Sequence, residues 1–305
     1  GEGLWSGANT YISWTFRKQP KFFDVVTYSG TGSARTISHN LGSVPGMILV
    51  KRTDDTASWN VYHNGLNGGT NPEQYGINLN TTGAEFSSSG YWNNTAPTAT
   101  EFTVGTSSNA NESGGTYVAY LFAHNNSDGG FGSTGDQDII KCGSYTGNGS
   151  SSNAITLGFE PQWIMIKNAT ASADWILFDI VRGIHTGADD KYVFPNTSAT
   201  EGNFEGLEVT ADGFRIASNN ATTNNSSQTY IYMAIRRGPM ITPTAGTQVF
   251  FPDLITANQS GITATGIGFS PDVIINLVRS NANYGQQICN RLTGPKKQLF
   301  TNYNS

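Results

Sequence analysis

Charge is scarce in this chain. Only 13% of its 305 residues are charged, and the formal net charge is −5. Basic residues never gather beyond the pairs Arg17-Lys18, Lys51-Arg52, Arg236-Arg237 and Lys296-Lys297. Nucleic acid requires a concentrated basic face, so no nucleic-acid partner is expected. No apolar run approaches the ~20 residues of a membrane-spanning helix, so no membrane insertion is expected. The two cysteines, Cys142 and Cys289, stand at non-equivalent places and are too few for a disulfide framework. Both read as free, structural residues. The four histidines (His39, His63, His124 and His185) show no metal-ligand spacing, and no metal or cofactor is expected. There is no G-x-S-x-G, H-E-x-x-H, Walker A or C-x-x-C signature, so no enzyme is expected. The pairs Gly30-x-Gly32 and Gly147-x-Gly149 lack a third glycine and a following helix, and they read as turns. Asp128, Asp136 and Asp138 flank a Gly-rich stretch, but Thr134 falls where a calcium repeat would need Asp. They read as solvated linker acids.

What the chain does have is 36 Gly, abundant Ser, Thr and Asn, and an aromatic set of 6 Trp, 13 Tyr and 16 Phe. Short β-branched and aromatic runs separated by Gly, Asn, Asp and Ser point to an all-β protein. One pattern, aliphatic-Gly-x-x-Pro followed by apolar residues, occurs at Leu41–Lys51, Leu157–Lys167 and Ile267–Leu277. A Gly/Pro turn feeding an apolar run reads as a loop entering a buried strand. Gly42 and Pro45, Gly158 and Pro161, and Gly268 and Pro271 mark the three copies. The prolines stand 116 and 110 residues apart, which predicts tandem β-sandwich, jelly-roll-like repeats of about 110 residues.

The expected organisation follows from these copies. Residues 1–20 read as the closing strand of a preceding unit, because Tyr11–Lys18 matches Tyr117–His124 and Tyr230–Arg237. Repeat one spans 21–124, with strands expected at 23–28, 36–39, 47–51, 59–63, 75–79, 101–104 and 117–122. A linker of flexible composition occupies 125–137, repeat two 138–237, and a second linker 238–246. An incomplete third repeat covers 247–305. Either the chain is a window of a longer repeat protein, or residues 1–20 complete the third unit by strand exchange, within the chain or in a neighbour.

Two groups of side chains could be mistaken for ligand sites. Trp59 and Trp175 each stand 14 residues after their proline, and that fixed offset from a core motif argues for core packing. Tyr91, Trp92, Asn93 and Asn94 are different. They occur in one repeat only and combine aromatic faces with amides, as glycan binding needs. They are the candidate glycan-binding residues, with packing as the competing role of Trp92. The N-x-S/T triplets at Asn93, Asn168 and Asn196 argue for exposed loops.

The sequence resembles the repeat domain of tailed-bacteriophage virion proteins, of the marine and cyanobacterial phage type, which are often labelled tail-fibre or structural proteins. The carriers are Thr27–Gly32, Ile37–Gly46, Val50–Arg52, Tyr91–Thr98 and Gly114–His124 in repeat one, and Leu157–Trp163 with Arg182-Gly183 in repeat two. The resemblance covers nearly all of residues 1–245 and brings no catalytic residue. It implies a virion location, and a tail fibre or similar appendage contacting the host surface. Its partners would be other virion proteins and a host-surface glycan, and such fibres are commonly homo-oligomers, often trimers. A capsid decoration or head fibre is the alternative within the particle. A secreted carbohydrate-binding adhesin is the alternative outside it.

Overall fold

The computed structural model describes residues 12–132, 134–185, 187–238, 252, 273–276, 287–290 and 299–300. Every ladder among them is antiparallel, and the described helices are single turns.

The first unit contains β1 (Phe23–Ser29), β2 (Arg35–Ser38), β3 (Pro45–Arg52), β4 (Asn60–His63), β5 (Tyr75–Asn78), β6 (Phe86–Ser87), α1 (Ser89–Trp92), β7 (Glu101–Val104), α2 (Ser108–Asn111) and β8 (Thr116–Ala123). A strand lies at each of the seven expected positions, and β6 is additional. Six strands form one sheet in the order β1-β8-β3-β4-β5-β6, while β2 and β7 form a second. The second unit contains β9 (Ile140–Thr146), β10 (Asn153–Thr156), β11 (Pro161–Asn168), β12 (Trp175–Asp179), β13 (Asp190–Val193), β14 (Gly202–Phe204), β15 (Leu207–Thr210), β16 (Gly213–Ile216), α3 (Ala221–Asn224) and β17 (Thr229–Arg236). Its large sheet runs β9-β17-β11-β12-β13-β14, the same order position by position, and its small sheet runs β10-β16-β15. The two described units thus share one large-sheet strand order, while their small sheets differ in strand number.

The motif strands show why Gly and Pro recur. Gly42 and Gly158 take φ of 69° and 81°, a region that L side chains avoid. Pro45 and Pro161 then open β3 and β11, and both ladders shift register one residue later. Proline has no N–H to give a ladder, so a bulge at the strand entrance accommodates it.

Within each unit the small sheet lies across one face of the large one. In the first, Ile37, Phe102 and Val104 meet Ile48, Val50, Ala119 and Leu121. In the second, Ile155, Phe214 and Ile216 meet Ile164, Ile166, Tyr232 and Ala234. A buried asparagine ties each unit together. Asn111 donates to the Ser33 and Gly105 carbonyls and accepts from the Thr31 N–H. Asn224 donates to the Ser150 and Ser218 carbonyls and accepts from the Asn148 N–H. Beside them, Tyr117 and Tyr230 use one hydroxyl each to bridge the helical turn to the chain after it.

The connection between the units is more tightly held than its composition suggests. Asn125 is fully buried; it donates to the Lys21 carbonyl and accepts from the Ile139 and Ile140 N–H groups. Asp138 is only 8% exposed and accepts from the Ser127 and Gly129 N–H groups. That acid serves as a backbone clasp. Residues 12–18 form no ladder. Ile12, Trp14 and Phe16 are half-buried, and the residues between them are exposed. Further along the chain, β18 (Val273–Asn276), β19 (Gln287–Asn290) and β20 (Leu299–Phe300) form a three-stranded sheet in that order. β18 falls in the third apolar run, while Gly268 and Pro271 lie outside the described residues.

Candidate interaction surface

Each large sheet has an inner face, covered by its own small sheet, and an outer face. The outer faces are apolar in both units, and the structure treats them differently.

In the second unit, Cys142, Trp163, Met165, Trp175, Leu177 and Met233 project from the outer face, and all are buried. They join the hydrophobic cluster of the first unit rather than that of their own. What covers them is the β4–β5 side of the first unit. Gly65 lies against β9: a Cβ placed there would stand 3.0 Å from the Ser144 Cβ. The Trp175 indole N–H donates to the Asn78 carbonyl at 3.0 Å. Lys167 is fully buried and donates to the Thr82 and Asn168 carbonyls; burial pulls its pKa down to about 8. The Glu85 N–H reaches the Ala169 carbonyl, and the Ala173 N–H reaches the Thr82 carbonyl. The units therefore share a joint of apolar packing crossed by hydrogen bonds.

His63 sits in that joint. Its Nδ1 accepts the Gly65 N–H at 3.0 Å, so Nε2 carries the proton and donates to the Tyr232 carbonyl at 2.9 Å. Burial holds its pKa down to about 3, which keeps the ring neutral at ordinary pH. At the equivalent position the second unit has Asp179, which accepts the Val181 N–H in the same kind of turn and pairs with Arg182. The turn is retained while the residue facing the neighbour changes.

In the first unit the corresponding outer face is open. Phe16 and Phe122 help to line a groove of about 420 Å³ whose other walls are Phe23, Val25, Leu49, Trp59 and Tyr120. By register these five correspond to Ile140, Cys142, Met165, Trp175 and Met233 of the covered face. Val25, Leu49, Trp59 and Tyr120 are half-buried, whereas their four counterparts are buried. Trp59 stacks on Tyr120 with ring centroids 6.2 Å apart. It is a groove wall, while Trp175, its partner in the repeat, is core. Residues 12–18 border both regions: Trp14 meets Trp163 edge-on at 6.4 Å, and Phe16 meets Phe122 at 5.5 Å.

The four glycan candidates are not gathered into one accessible platform. Trp92 is 2% exposed and packs edge-on against Tyr62, so its faces belong to the core. Tyr91 is half-buried between Phe86 and the Asn109 amide. Asn93 and Asn94 are exposed, with φ of 52° and 50°, and they end α1. The second unit replaces α1 by β15, which explains why this sequence run occurs in one repeat only. Cys142 is buried, and burial pushes its thiol well above the usual range. Among the described residues no three His, Cys, Asp or Glu side chains converge as a metal site would, and no helix is long and apolar enough to cross a membrane.

The sequence reading missed Asn111 and Asn224. A signal existed: both begin the pattern Asn-x-Ser-x-x-Thr-Tyr, at 111–117 and 224–230. The outer face has no such signature, since Val25 and Tyr120 lie outside the repeated Gly-x-x-Pro stretch.

Comparison with known proteins gives one family and little else. A family described as "Domain of unknown function (DUF7483)" matches residues 7–239. No curated protein matches. Two solved chains show a distant likeness, one from the atomic structure of Sulfolobus Turreted Icosahedral Virus and one from the crystal structure of the STIV MCP. Each is 9% identical to this chain and covers 70% of it, spanning 89% and 85% of its own length, with TM-scores of 0.19 and 0.18. Superpositions at that level carry no argument about this chain.

Proposed function

The chain belongs to this family of domains of unknown function, and we propose from its own architecture that it is a bacteriophage virion structural protein. In this reading it forms part of a tail fibre or similar appendage, built from tandem jelly-roll-like β units, that contacts the host surface. One observation carries the reading: successive units are fused by a buried apolar joint. Trp175, Trp163, Met165 and Leu177 of the second unit are built into the cluster of the first, and Asn125 and Asp138 clasp the connection. A joint of this kind fixes the angle between neighbours, whereas a hydrated linker leaves it free. Fixed angles repeated along a chain give a stiff element with a defined direction, which is what a projecting appendage requires. The resemblance in repeat signature supports the same reading. Other virion proteins would be its partners, with a host glycan as its target.

Immunogold labelling of the phage particles with antibodies against residues 12–238 tests the proposal. Gold on tail appendages is the expected result. Gold on the capsid surface would favour a decoration or head fibre over an appendage. Particles free of label, with the protein found in the medium, would overturn the virion reading in favour of an adhesin.

A further inference from the structure

We infer that the open outer face of the first unit is a docking site for a second copy of this chain, which seats the β12–β13 side of its second unit there. The contact would repeat between molecules the joint that already exists within one. This inference stands apart from the virion reading and can fail without it.

Three observations lead to it. The first is the filled equivalent. The outer face of the second unit is covered by a defined edge, the turn after β4 together with the segment after β5. The groove of the first unit is built at the same strand positions with residues of the same character: Phe23 for Ile140, Leu49 for Met165 and Trp59 for Trp175. The second is the strand pattern. β3 reads Met47-Ile48-Leu49-Val50 and β8 reads Tyr117–Phe122, both apolar without alternation. A sheet with one wet face alternates, and a continuous apolar run is built for burial on both sides. The third is the edge. The second unit carries the counterpart of the covering edge, and at its tip, where the first unit has Gly65, stands Val181. Its neighbour Arg182 is tied down to Asp179, but Val181 is 81% exposed. An aliphatic side chain held out by a turn that its own unit does not bury fits an apolar groove 420 Å³ in size.

The strand edges themselves need not pair. The outward carbonyl of Val25 already accepts from Lys18, and the Val25 N–H is given to Asp24. Docking would bury side chains over β1, β8 and β3, as the first unit does over β9, β17 and β11. Face and edge lie on different units, so the contact is head-to-tail and propagates into an open series or closes into a ring.

Sedimentation of the full chain over a range of concentrations, with two variants, is the test. The wild type should show a mass rising with concentration through dimer and beyond. Val181→Asp should weaken this association about tenfold or more, because it places an unpaired charge in an apolar contact. At 81% exposure the change leaves folding untouched. Val25→Glu should do the same from the other side. An equimolar mixture of the two variants should stop at a dimer, because only one good face and one good edge remain. If Val25→Glu loses the native circular dichroism spectrum, Val181→Asp alone decides the outcome. A wild type that stays monomeric, a Val181→Asp variant that associates like wild type, or folded variants that fail to pair when mixed would each overturn the inference.

Discussion

The two described units have the same large sheet, the same strand order and the same buried Asn–Tyr tie, yet their outer faces meet different fates. In the second unit that face is core. In the first it is a groove. Position in a repeat therefore fixes backbone and register but not environment, because environment also depends on what the next unit places there. Trp59 and Trp175 make the point. Both follow their proline by 14 residues; one stacks on Tyr120 at the surface, and the other is 1% exposed with its N–H bonded across the joint.

The sharpest test of this difference is truncation of each tryptophan. Trp175→Ala should destabilise the protein by about 3–5 kcal/mol, since it opens a cavity at the joint and leaves the Asn78 carbonyl unmet. Trp59→Ala should cost about 1 kcal/mol, because this residue is only half-buried. Urea denaturation of both variants measures the gap, and equal costs would dissolve the distinction between face and groove.

The likeness of the units can be tested in the same way. Asn111→Ala and Asn224→Ala each strand two carbonyls and one N–H, and each should cost about 2–3 kcal/mol. Hydrogen exchange should show lost protection at Thr31 in one variant and Asn148 in the other. If only one variant loses stability, the tie is not shared.

Acid should separate the units again, by a smaller margin. His39, His63 and His124 of the first unit all have pKa values lowered by burial. A histidine whose folded pKa lies below its unfolded value contributes fully above about pH 6.5, and that contribution falls as pH drops. For His63, with a folded value of about 3, the loss at pH 5 is about 2 kcal/mol. Exchange protection in the first unit should therefore fall between pH 7 and pH 5, with the Gly65 N–H, which His63 Nδ1 accepts, affected early. A loss that begins in the second unit instead would show that His63 does not set the limit.

Much of this fold was legible in the sequence. The strands of the first unit announce themselves by β-rich runs between Gly, Asn and Pro, and the motif prolines mark strand entrances because proline cannot join a ladder. The closed connection between the units was not legible. Composition around Gly129 and Gly130 says flexible, while two single residues, Asn125 and Asp138, supply the hydrogen bonds that close it. Trp92 shows the limit for the candidate site. Its neighbours Tyr91 and Asn93 make a surface-like string, but Tyr62 lies 30 positions earlier in sequence, and the contact that buries Trp92 exists only after folding. The groove was half-legible. The unbroken apolar runs of β3 and β8 announced two-sided burial, and nothing in the string says which face goes uncovered.

The pairing of β1 with β8 has a mechanical meaning. Phe23, where the chain enters the first unit, lies opposite Phe122, where it leaves, and Ile140 faces Ile235 in the second. Tension applied through the two ends of a unit would load its first and last strands from the same end. Their hydrogen bonds would then be tested one after another, as a zipper is, rather than all at once. Such a unit yields easily when pulled by its ends. Resistance to a sideways load would come from the buried joint, where Trp175 and backbone carbonyls of the two units interlock.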